Sequence, residues 1–177
     1  MPLQPDPSEP RRLIGNNTSE VVTLSIADAT NFPLGIWMLG GDDQVTGSTA
    51  NDLVYGNDGE DIIRGDLGND SLFGGKNKDF LAGFQGNDFL SAGQDADWLI
   101  GGAGDDVLLG GRGNDALFSG NGNDTLVGGL GRDFLAGLDD NNGSIKIGGS
   151  NLYVLQAEPG VTDFNNADVL IFFRPGV

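Results

Sequence analysis

The sequence predicts an all-β protein, a stack of two-strand coils of 18 residues each, closed at both ends by capping strands. Three observations predict it. Aspartate recurs every nine residues without a break from Asp43 to Asp133. An aliphatic residue stands two positions after each of these aspartates. Glycine, 31 of 177 residues and far above ordinary usage, gathers just before them.

Each element follows in turn. Residues 1–20 are rich in proline, acid and small polar side chains and are expected to lack order. VVTLSI at 21–26 reads as a strand. With 34–39 it is expected to make an N-terminal cap over 21–37, because a bare first coil would expose its core and an unpaired edge. The repeats fill 38–137. Their ladder is Asp43, Asp52, Asp61, Asp70, Asp79, Asp88, Asp97, Asp106, Asp115, Asp124 and Asp133. The aliphatic row is Val45, Val54, Ile63, Leu72, Leu81, Leu90, Leu99, Leu108, Leu117, Leu126 and Leu135. Two positions before each aspartate stands Gly41, Gly59, Gly68, Gly86, Gly104, Gly113, Gly122 or Gly131, with Ala50, Asn77 and Asp95 as exceptions. Asn and Asp tolerate positive φ, so Ala50 is the one misfit. After Asp133 the period fails, Asp139 and Asp140 can finish a last turn, and LYVLQ and ADVLIFF follow as apolar segments within 138–177.

The geometry of one unit comes from its residues. A run such as GGRGND resists helix, because glycine is costly there, and makes a turn with left-handed backbone and exposed carbonyls. The three residues that follow, such as ALF, make a short strand whose middle side chain points to one face. Turn, strand, turn and strand return the chain to its start about 4.8 Å higher. Stacked coils then give two parallel sheets back to back, with the aliphatic row between them and the turns in two columns along the edges.

Each column brings an aspartate beside the one 18 residues away, and carboxylates side by side repel. A solvated acidic turn accounts for one such residue but not for eleven in register. A hard cation accounts for all of them. Calcium takes six to eight oxygens, here the aspartate carboxylates with turn carbonyls from Gly59, Gly68, Gly86, Gly104, Gly113, Gly122 and Gly131. One column holds Asp52, Asp70, Asp88, Asp106 and Asp124, preceded by Asn51, Asn69, Asn87, Asp105 and Asn123. The other holds Asp43, Asp61, Asp79, Asp97, Asp115 and Asp133, preceded by Asp42, Glu60, Lys78, Ala96, Asn114 and Arg132. The second column is therefore expected to weaken near Asp79 and Asp97. Adjacent turns allow four sites in one column and five in the other, so up to about nine Ca2+ ions are expected, against a formal net charge of -17. Without them the chain is expected to be held open by its own repulsion.

Units such as GGRGNDALF at 110–118 resemble the nonapeptide repeat of RTX (repeats-in-toxin) proteins, the hemolysin-type calcium-binding repeat. The resemblance covers about residues 38–136. It implies a parallel β-roll, that is a right-handed β-helix, with calcium between alternate turns and secretion by a type I exporter. It also implies that 138–177 is a C-terminal cap, a pair of strands closing the roll, with the export signal at its uncleaved end.

Composition excludes much else. With no cysteine and no histidine there is no disulfide, no thiol nucleophile and no Ser-His-Asp triad. An acidic chain repels nucleic acid and anionic membrane. No apolar run approaches the roughly 20 residues of a transmembrane segment, and MPLQPDPSEPRR lacks the apolar core of a cleaved signal peptide. Residues 1–37 are too few for a catalytic domain, and no enzyme is expected. The outward strand positions are apolar: Phe80, Trp98, Phe118 and Phe134 on one sheet, Phe73 and Phe89 on the other. Large apolar faces mark interfaces. The expected function is a secreted, extracellular calcium-binding roll that folds on calcium outside the cell. Its role is structural, adhesive or self-associating (a homo-oligomer or a protein or surface partner). The alternative is a chaperone-like partner module for a separately encoded enzyme. Ice binding would need an outward array of Thr and Asn, and the rows are aromatic and aliphatic instead.

Overall fold

A computed structural model describes residues 3–8, 13–138, 146–148, 152–156 and 170–172. Within them the chain winds as a β-solenoid with two nine-stranded sheets. The first sheet stacks β1 (Gln4–Pro5), β2 (Leu13–Ile14), β4 (Ile36–Trp37), β6 (Leu53–Asp58), β8 (Ser71–Lys76), β10 (Phe89–Gln94), β12 (Val107–Arg112), β14 (Thr125–Leu130) and β16 (Lys146–Gly148). The second stacks β3 (Val21–Thr23), β5 (Gln44–Thr46), β7 (Ile62–Leu67), β9 (Phe80–Gln85), β11 (Trp98–Ala103), β13 (Ala116–Asn121), β15 (Phe134–Leu138), β17 (Leu152–Gln156) and β18 (Leu170–Phe172). All pairs are parallel except β1 on β2. The register steps by 18 residues, as in Leu90 against Leu108 and Leu99 against Leu117.

The aliphatic row is the core. Every member from Val45 to Leu135 is at most 1% exposed. Alternation along the strand does this: in β12 the side chains of Leu108 and the backbone of Gly110 face inward, and Val107 and Leu109 face outward. Fully burying one such aliphatic side chain stabilises by about 1.5–3 kcal/mol. The nine strands from β6 to β14 run six residues each, not the three expected from the apolar triplets. Pairing continues into the glycines, with Gly93 against Gly111 in register, because both neighbouring coils bend at the same place.

The N-terminal end is more ordered than its composition implies. Leu13 and Ile14 pair with Ile36 and Trp37, and Gln4–Pro5 adds an antiparallel strand outside them. The expected strand over 21–26 stops at Thr23, and a short helix α1 (Ile26–Asn31) replaces its end. SIAD is a capping box: Ser25 N–H donates to Asp28 Oδ2 at 2.8 Å and Asp28 N–H to Ser25 Oγ at 3.4 Å. At the other end LYVLQ is β17, and LIF within ADVLIFF is β18. Asp139, Asp140 and the last residues, expected to finish a turn and to carry an export signal, lie outside the described residues.

Candidate metal centre

Glycine makes the turn and the turn places the acid. Gly104, two residues before Asp106, has φ +129°, and a Cβ there would strike the carbonyl oxygen of Gly86 in the coil below. Gly59, Gly68, Gly86, Gly113, Gly122 and Gly131 share the positive φ. Where asparagine or aspartate replaces glycine the backbone holds the same region, φ 72° at Asn77 and 74° at Asp95. At Ala50 a local turn takes over, with Ala50 N–H on Ser48 Oγ at 3.1 Å. The glycine carbonyls stack as the sequence implies: that of Gly68 abuts Gly86, and that of Gly86 abuts Gly104.

The aspartates are not solvated turns. All eleven are at most 3% exposed. One oxygen of each is used structurally. Asp61 Oδ1 accepts the Asp43 N–H at 2.8 Å, and the same bond joins every later neighbour in both columns, nine bonds of 2.8–2.9 Å. Asp52, first in its column, accepts Ser48 N–H through Oδ2 at 2.6 Å instead. The other oxygen of all eleven is buried without a hydrogen-bond partner: Oδ1 of Asp52 and Oδ2 of the rest. Buried polar atoms are rarely left so, because each costs free energy unless something satisfies it.

The free Oδ2 of seven of the aspartates, Asp61, Asp70, Asp79, Asp88, Asp106, Asp115 and Asp133, faces a second row of glycines that the sequence reading missed. Five positions before the aspartates stand Gly47, Gly56, Gly65, Gly74, Gly83, Gly101, Gly110 and Gly128, with Met38, Ala92 and Ser119 as the exceptions. A Cβ on Gly56 would strike Asp61 Oδ2 and lie 2.8 Å from the carbonyl oxygen of Gly74. One on Gly65 would strike Asp70 Oδ2 and lie 2.9 Å from that of Gly83. Glycine thus keeps a cleft between a free carboxylate oxygen and a main-chain carbonyl of the next coil. The row's signal in the sequence is a second glycine at fixed spacing, five residues before the acid.

Electrostatics agree with the geometry. Burial pushes the Asp106 carboxyl up to about 7, with the Asp88 and Asp124 charges adding to the rise and the Asp88 N–H opposing it. Asp79 rises to about 8 and Asp61 and Asp115 to about 6, again chiefly by burial. Among the described residues no three acidic side chains converge on a point. A cation here must draw its remaining ligands from carbonyls. The donors are all hard oxygens, which suit calcium and not soft metals.

The residue before each aspartate ties coil to coil. Asn69 N–H donates to Asn51 Oδ1 and Asn87 N–H to Asn69 Oδ1, both at 2.8 Å, and Asp105 and Asn123 continue the series. In the other column Asp42 receives Glu60 N–H and Asn114 receives Arg132 N–H. Among the described residues no such bond is donated by the N–H of Lys78, Ala96 or Asn114. A cavity of about 300 Å³ opens there, lined by Glu60, Lys78, Ala96 and Trp98. The aspartate bonds themselves run on unbroken through Asp79 and Asp97.

The outward rings cover one another. Trp37, Tyr55 and Phe73 are register neighbours with centroids 4.5 and 4.7 Å apart. Trp98, Phe118 and Phe134 pack diagonally across Ala116 at 5.9 and 5.6 Å. Of the six expected interface side chains, Phe73, Phe80, Phe89, Phe118 and Phe134 are half-buried in their own sheets, and Trp98, 55% exposed, presents the most surface.

The family model of the RTX calcium-binding nonapeptide repeat (4 copies) matches residues 39–72, 55–90, 65–99, 82–117, 91–126 and 118–142. No curated protein matches the chain.

Proposed function

Because this chain belongs to the RTX calcium-binding nonapeptide repeat family, we propose that its eleven ladder aspartates hold calcium between successive coils and that this binding drives folding. The observation that carries the reading is the set of buried carboxylate oxygens without partners, one on each of eleven residues in register. Calcium bound there supplies the positive charge that these oxygens lack. The chain does the rest. One oxygen of each aspartate accepts a main-chain N–H that anchors its turn, the other stays free, and two rows of glycine keep side chains out of the cleft. Carbonyls of the turn glycines complete the oxygen set. Two columns, one of five aspartates and one of six, allow up to about nine ions between neighbours.

A fold that depends on cations to neutralise buried acids is open where calcium is scarce and closed where it is plentiful. That fits a protein exported unfolded, by a type I exporter, and folding outside at millimolar calcium, where extracellular modules bind with Kd of roughly 10⁻⁴–10⁻³ M. Its role is structural. The aromatic face around Trp98, which keeps much of its surface free, is the surface for self-association or attachment. Equilibrium dialysis tests the calcium assignment: the wild-type chain binds several ions and Asp106→Asn binds fewer. An unchanged count on that variant contradicts the assignment. Trp98→Glu tests the face, and an unaltered sedimentation coefficient and unaltered surface binding count against it.

A further inference from the structure

Resting on the calcium reading above, we infer that residues 13–22 form a twelfth, cation-free coil unit in which Asn16 satisfies Glu20, so that the calcium series of this column begins only at Asp43. The unit lies outside the matched repeats and outside the aspartate ladder. Pairing reveals it. Leu13 is in register with Ile36 and Val22 with Val45, so the segment occupies the place of a half-coil beneath 36–45. Its residues align with those of 54–63: Leu13 with Val54, Gly15 with Gly56, Glu20 with Asp61, Val22 with Ile63.

The acid is used as in the ladder. Glu20 N–H donates to Asp43 Oδ1 at 2.7 Å, the bond that Asp43 N–H makes to Asp61. Ser19 Oγ accepts Asp42 N–H at 3.1 Å, as Asp42 Oδ1 accepts Glu60 N–H one coil on. A Cβ on Gly15 would strike Glu20 Oε2 and lie 2.8 Å from the carbonyl oxygen of Met38, the arrangement found at Gly56. The carboxylate itself differs. Glu20 is 5% exposed, but Asn16 N–H donates to its Oε2 at 3.2 Å and Asn16 Nδ2 to its Oε1 at 2.5 Å. Each ladder aspartate keeps an oxygen without a partner, and Glu20 keeps none. The longer glutamate reaches back to an amide on its own turn. Two N–H dipoles there meet the need that a cation meets elsewhere, and the column ends without an exposed half-filled site.

Calcium bound per chain, measured by equilibrium dialysis on the full chain, decides the matter. Glu20→Gln is expected to leave the count and the affinity unchanged, while Asp61→Asn lowers the count. Asn16→Asp sets a second carboxylate against Glu20 and is expected to raise the count by one ion. Loss of an ion in Glu20→Gln makes Glu20 a calcium ligand and overturns the inference. Where Glu20→Gln does not fold, an unchanged count for Asn16→Asp overturns it instead. If Asp61→Asn keeps every ion, the ladder assignment fails rather than the cap.

Discussion

At the scale of the residue, each ladder aspartate divides its work between two oxygens. Asp106 Oδ1 accepts the Asp88 N–H at 2.8 Å, a bond an amide oxygen could equally accept, and its Oδ2 is left for a cation. Asp106→Asn keeps the first function and removes the second. It is expected to lower stability by about 1–3 kcal/mol in saturating calcium, the cost of one spoiled buried polar site, and to be neutral or stabilising in EDTA. Equal losses in both conditions, read by chemical denaturation, would make the residue purely structural. Phe84 is a second residue with a definite prediction. It holds φ 79° with a 47% exposed ring, where the next two coils carry Gly102 and Gly120. Left-handed backbone costs a bulky residue about 1–2 kcal/mol, so Phe84→Gly is expected to raise the melting temperature, and a fall would show that the ring holds the turn. The ladder itself was legible because a strict period of nine survives any reading. Glu20 was not, because one changed acid and a five-residue insertion between Val22 and Ile36, relative to the nine-residue step, hide the unit until pairing shows its register.

At the scale of the element, the core row and the turn ladder contribute separately. Leu99 is wholly buried in β11 with rows of leucine on either side, and Leu99→Ala is expected to cost about 2–5 kcal/mol in calcium. The Asn ladder is intact along one column and interrupted at Lys78 and Ala96 in the other. Restoring it with Lys78→Asn and Ala96→Asn adds acceptors for the main-chain N–H groups one coil on, each worth about 0.5–1.5 kcal/mol. A double variant no more stable than wild type in urea would show that these N–H groups are already well solvated. Strands and turns were legible from the repeat, since alternation and glycine fix them locally. Helix α1 was not: the apolar run VVTLSI overlaps the start of the SIAD capping box and masks it. The mutual cover of the outward rings also escaped the sequence, because diagonal packing across Ala116 depends on the register between coils.

At the scale of the whole molecule, a net charge of -17 and eleven buried carboxylates set the balance. Several of these acids are raised from 3.8 to about 7, among them Asp43, Asp70, Asp97 and Asp106, mainly by burial. Raised folded values mean that metal-free stability is fully present below about pH 4 and is lost as pH climbs through 6 to 8. In EDTA the chain is therefore expected to hold more β-structure at pH 4.5 than at pH 8. Calcium displaces the same protons, so its affinity should rise over that window. More β-structure at pH 8 than at pH 4.5 in EDTA would reverse the sign and contradict the burial of these acids. The most direct test of calcium-driven folding is a far-UV circular dichroism titration with calcium at pH 7.5, starting from EDTA. The predicted result is a cooperative change from coil to β-sheet near roughly 10⁻⁴–10⁻³ M calcium. A full β-sheet signal already present in EDTA, and unmoved by calcium, would contradict it.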